Sequence, residues 1–62
     1  NEEFLVPHSI IDHDVITARI GTQYHGYLVK YRNHSLEESQ WILAQSLSPV
    51  YRYLITSYHT HN

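Results

Sequence analysis

Six histidines in 62 residues are the first feature with chemical potential: His8, His13, His25, His34, His59 and His61. Neutral imidazole is a common ligand for zinc and other transition metals. His59-x-His61 together with Asp12-His13-Asp14 would be the group to collect such an ion. No two histidines stand four residues apart, however, so no helix turn would present a preformed pair, and the expectation is no metal centre. Asp12 and Asp14, two apart on an extended segment, would share a face like a catalytic carboxylate pair. Serine, histidine and aspartate all occur, but so short a chain has little room to bury a triad and an oxyanion hole. The expectation is a non-enzymatic chain with no cofactor and no small-molecule substrate. Tyr51, Tyr53 and Tyr58 invite a base-stacking platform, yet helical spacing turns Tyr51 and Tyr58 to the core and leaves only Tyr53 outward.

The elements that must hold these residues follow from the pattern. Phe4-Leu5-Val6 is a short extended apolar piece that Pro7 interrupts. Ser9 to Ile16 reads as a strand whose apolar pairs imply strong curvature or a bulge. Thr17 to Gln23, with Gly21, is a hairpin connection, and Tyr24 to Tyr31 the next strand. Two-residue alternation puts Tyr27, Val29 and Tyr31 on one face, with Leu28 and Lys30 on the other. Gly26 marks a bend or bulge. Asn33-His34-Ser35 is a turn, and Gln40 to Leu43 a short third strand. Ser48-Pro49 is a helix start, with serine as cap and proline in the first position. Val50, Tyr51, Leu54, Ile55 and Tyr58 then form one apolar stripe, and residues 59–62 are a frayed tail. The fold class is α+β: a three-stranded curved antiparallel sheet packed against a C-terminal α-helix, one domain over 1–62 with about 4–58 folded.

Composition narrows the function. Six acids against four bases give a net charge of −2, unlike a surface that neutralises DNA phosphates. With no cysteine, neither a disulfide nor a thiolate zinc site stabilises the chain, and aromatic packing must do so. No apolar run approaches the ~18 residues of a membrane span, and no basic leader is present. A start without methionine suggests a fragment of a longer protein.

Val6 to Asp12, Tyr27-Leu28-Val29-Lys30-Tyr31, the acidic turn before Trp41 and the closing Leu54-Ile55-Thr56-Ser57-Tyr58 resemble a chromodomain along nearly the whole chain. The family's central stretch is a strand ending Lys-Trp-Lys-Gly, an aromatic, an acidic loop and Thr-Trp-Glu-Pro. The resemblance implies that an extended histone-tail peptide slots between the N-terminal segment and the loop after the third strand, by β-augmentation. It also implies that Trp41 packs the sheet against the helix. Where the family reads methyl-lysine, three aromatics form a cage around the cation. Carried over, the cage positions are Tyr31 in place of tryptophan, His34, and Leu5. Phe4 lies one residue from the last and serves only if the chain bulges near Pro7. The acid expected nearby is Glu38. Asn33 replaces the turn glycine, and Ile42-Leu43 replaces Glu-Pro. Losing two of three cation–π faces costs roughly 1–4 kcal/mol.

Chromodomains with such incomplete cages resemble those ending the integrases of gypsy-type retrotransposons. The implied function is therefore a nuclear, chromatin-tethering module whose peptide site comprises Phe4, Leu5, Val6, Tyr31, His34 and Glu38. Its partner would be a histone tail or another chromatin protein, with DNA bound weakly if at all, and no membrane. Three alternatives remain: a conventional methyl-lysine reader built on Phe4, Tyr31 and His34; a nucleic-acid-binding accessory using Arg19, Lys30, Arg32 and Arg52; and a structural domain docked on its parent.

Overall fold

The computed structural model describes residues 5–61. Three strands, β1 (Pro7–Thr17), β2 (Gln23–Tyr31) and β3 (Gln40–Leu43), form one antiparallel sheet in the order β1-β2-β3. A helix, α1 (Arg52–His61), follows and covers one face. This is the α+β arrangement that the sequence pattern implies.

β2 is the central strand and its alternation sorts the side chains. Tyr27, Val29 and Tyr31 are buried with Ile10 of β1 and Leu54 of α1. Tyr51, Ile55, Tyr58, Ile42 and Ala44 close around them. Val29, with no exposed surface, is the centre. Apolar burial of this kind is the main favourable term available to so small a domain.

The apolar pairs of β1 resolve into bulges. Register shifts fall between Pro7 and Ser9 and between Ile10 and Asp12. The second lets Ile10 pair with Val29 on the covered face and Asp12 with Leu28 on the other, leaving Ile11 unpaired between them and exposed. Beyond β1 the chain reverses through residues 18–22, closed by the Gly21 N–H to the Ala18 carbonyl at 2.9 Å. Gly21 there has φ +89°, a conformation that side chains disfavour. Asn33 takes φ +64° in the turn after β2, as its side chain tolerates.

Three expectations are corrected. Trp41 is not core: it is 51% exposed. It pairs with Leu28, and Leu28 faces away from the helix, so parity turns the indole to the outer face. Val50 is not in the helix stripe and is 71% exposed. Ser48 and Pro49 do start the helical segment, with the Val50 N–H donating to Ser48 Oγ at 3.4 Å, but Pro49–Tyr51 is a 3-10 turn. At three residues per turn it rotates Val50 out of the stripe that α1 continues. The tail also departs from a frayed end, since α1 runs through His59 to His61. His59 Nε2 lies 2.8 Å from the Tyr27 hydroxyl and ties the last turn to the sheet.

Leu54→Ala should lower the unfolding free energy by about 2–4 kcal/mol. Trp41→Ala, although it removes far more side chain, should lower it by less. Urea unfolding followed by circular dichroism gives both values, and a larger loss at Trp41 would mean that the indole is packed under the helix.

Candidate functional site

The peptide-site residues carried over from the resemblance are scattered between surface and core. Phe4 lies outside the described residues. Leu5 is exposed, and Val6 is half-buried with its carbonyl accepting from the Arg32 N–H at 2.8 Å. That bond carries the β1–β2 pairing one step beyond the strands, so Val6 is already paired on its β2 side. Tyr31, expected as a cage wall, is only 7% exposed and belongs to the core cluster. Burial pushes its hydroxyl pKa above the ordinary 10.0. Its ring offers no open face for a cation.

His34 and Glu38 do come together. His34 Nδ1 and Glu38 Oε1 are 2.8 Å apart, and since a carboxylate only accepts, Nδ1 carries the proton. The same oxygen accepts the Ser35 N–H at 3.3 Å. Leu36–Glu38 form a single 3-10 turn that brings the carboxylate back over its own start. The histidine bond, then the Ser35 bond, hold the Glu38 carboxyl below its ordinary 4.5. The spacing Ser35-x-x-Glu38 is the sequence signal for such a turn.

A second aromatic group forms where β1, β2 and the end of α1 meet. The rings of His13 and Tyr27 stack at 5.4 Å, and those of His13 and His25 at 5.8 Å. His59 meets His13 edge-on at 5.3 Å, and Tyr58 meets Tyr27 edge-on at 6.3 Å. Burial, then the neighbouring Tyr58, raises the Tyr27 pKa. These contacts join the rings to one another. Among the described residues, no three histidines or carboxylates are placed to hold a metal ion.

The sheet has two lateral edges. On β1, the His13 N–H donates to the Asp12 carboxylate at 2.7 Å and the Val15 N–H to the Asp14 carboxylate at 2.8 Å. Amides two residues apart point the same way, so this is the edge away from β2, its donors occupied by the strand's own acids. Alternation across β2 then turns the N–H and C=O of Trp41 and the N–H of Leu43 outward, on the edge of β3 that no described strand pairs, while the Leu43 carbonyl caps the 3-10 turn of residues 44–46.

Sequence reasoning missed the outer face of the sheet. Ile16, Tyr24, Gly26, Trp41 and Leu43 line an apolar groove of about 360 Å³ there, on the side away from α1. Gly26 is its floor: a methyl group added there would meet Ile16 Cδ1 at 3.5 Å and Trp41 Cε3 at 3.8 Å. The alternation of Tyr24, Gly26 and Leu28 was the available signal, once one helix must leave one sheet face bare. The basic residues do not converge. Arg19 sits in the hairpin turn and Arg32 beyond the opposite end of β2, roughly 25–30 Å away along the strand.

No protein-family model, curated protein or solved structure matches this chain.

Because the folded Glu38 carboxyl titrates below 4.5, the stability its contacts give is complete above that pH. It is lost as pH falls further and the folded carboxylate takes up a proton. Thermal melts between pH 6 and pH 3 should fall less steeply for Glu38→Gln than for the native chain, and parallel curves would deny the contact any role.

Proposed function

We propose that this chain is a non-enzymatic interaction module of the chromodomain type, tethering a larger protein such as a retrotransposon integrase to chromatin. It takes an extended peptide by β-augmentation and does not select methyl-lysine. The observation that carries this reading is the pairing of a β3 edge that no described strand covers with a Tyr31 ring committed to the core. The order of strands and helix supports the family reading. The outward N–H and C=O of Trp41 and the N–H of Leu43 can pair with an added strand, whereas the acids of β1 block the opposite edge over residues 13–15. His34, bound to Glu38, and the buried Tyr31 leave no set of open aromatic faces at the carried-over positions among the described residues. The wide separation of Arg19 from Arg32 disfavours the nucleic-acid alternative.

Titration of the isotope-labelled chain with trimethylated and unmodified versions of one histone-tail peptide tests this. Affinities should agree within about twofold, with the Trp41 and Leu43 amides slowed in hydrogen exchange. A tenfold preference for the methylated peptide, about 1.4 kcal/mol, would instead establish a methyl-lysine reader.

A further inference from the structure

Where β3 ends and the chain crosses to α1, a pocket of about 250 Å³ opens beside the sheet. Gln23, Tyr24 and His25 line it from the start of β2, Gln45 from the 3-10 turn after β3, and Arg52 from the first residue of α1. Leu43 and Ala44 complete the wall. Each of the polar side chains has a donor to offer: two carboxamides, a phenol, an imidazole and a guanidinium. Among the described residues, none of them makes a side-chain hydrogen bond or an ion pair, and His25 only stacks on His13. No carboxylate lines the pocket. Asp14 lies two strands from Leu43, roughly 10 Å off, and bonds the Val15 amide on the far edge. Glu37 and Glu38 follow the opposite end of β2, about 25 Å along the strand. The pocket is therefore locally positive although the chain carries a net charge of −2. Arg52 also opposes its own helix, because a cation in the first turn works against the helix dipole and no acid stands in that turn to offset it.

We propose that this pocket binds a carboxylate of a partner protein, either an aspartate or glutamate side chain or a chain's C-terminal group. Arg52 presents the fork of its guanidinium to the two oxygens, a pairing for which its planar geometry is suited. Gln23, Gln45, His25 and Tyr24 surround it with neutral donors, and the short alkyl stem of the ligand rests against Leu43 and Ala44. A bound anion also offsets the conflict between Arg52 and the helix dipole. One full positive charge among neutral donors matches a monoanion, whereas a phosphate dianion would bring a second negative charge that no base meets. The pocket is open to solvent, so salt screens the attraction and affinity is roughly millimolar. This site lies past the end of β3 and does not depend on pairing along the strand edge.

The test uses the whole 62-residue chain, isotope-labelled, and a capped alanine pentapeptide with one central glutamate. Side-chain N–H shifts should concentrate at Gln23, Gln45 and Arg52, weaken with salt, and vanish when glutamine replaces the glutamate. An uncapped C-terminus on an all-alanine peptide is the second arm. A response to either arm supports the site, and the stronger one names the source of the carboxylate. Arg52 is exposed, so Arg52→Gln should leave the spectrum folded and weaken binding roughly three- to tenfold. Gln45→Ala should weaken it roughly twofold. Shifts located elsewhere, an equal response to the glutamine peptide, no response from either arm, or full affinity in Arg52→Gln would each overturn the proposal. So would inorganic phosphate binding more tightly than acetate. With the histone-tail peptide, slowed exchange at Trp41 tests the edge alone. Its absence beside a carboxylate response at Arg52 would sink the edge reading and spare this one, and the reverse pattern would do the opposite.

Discussion

The alternation of β2 is the constraint on which the rest depends. A central strand commits each residue to one face, and here the odd positions Tyr27, Val29 and Tyr31 go under the helix. Everything paired with the even positions is then carried to the other face. Asp12, Asp14, Ile16, Trp41 and Leu43 all lie there because they stand opposite Leu28, Gly26 or Tyr24. A shift of one residue in the β2–β3 pairing would turn Trp41 to the helix side, and one in the β1–β2 pairing would turn Asp12 and Asp14 there. The core and the outer face are thus a single decision, made by one strand.

The bulges of β1 reconcile that alternation with a sequence that does not itself alternate. Ile10-Ile11 presents two adjacent apolar side chains where one core position exists. Skipping Ile11 keeps Ile10 in the core and brings Asp12 and Asp14 into step with the outer face. The bulge therefore also sets the two acids where they can occupy their neighbours' amides along the β1 edge. An edge so blocked is poorly suited to accept another strand. The helix is fastened at both ends, by Leu54 in the core and by His59 against the Tyr27 hydroxyl.

Much of this was legible in the residues. The β2 pattern, the β3 span, the Asn33 turn and the Ser48-Pro49 start each carry a local signal, and each is where that signal puts it. Trp41 was misread because its packing under the helix was carried over from the family resemblance, and the competing fact, its register against Leu28, is not local. Val50 was misread for a related reason: a stripe drawn at 3.6 residues per turn cannot register a first turn wound at three. Tyr31 was placed correctly on the face of Tyr27 and Val29, yet the same placement puts its ring out of a cation's reach. The outer groove escaped notice because its glycine floor, tryptophan wall and isoleucine wall come from three strands.

The central claim is the parity that buries Tyr31 and exposes Trp41, and nuclear Overhauser contacts of the Trp41 ring test it most directly. Cross-peaks from the indole ring to the α-protons of Gly26 and the side chain of Ile16, with none to Leu54, are predicted. Cross-peaks from the indole to Leu54 or Ile55 would place it beneath the helix and contradict the account.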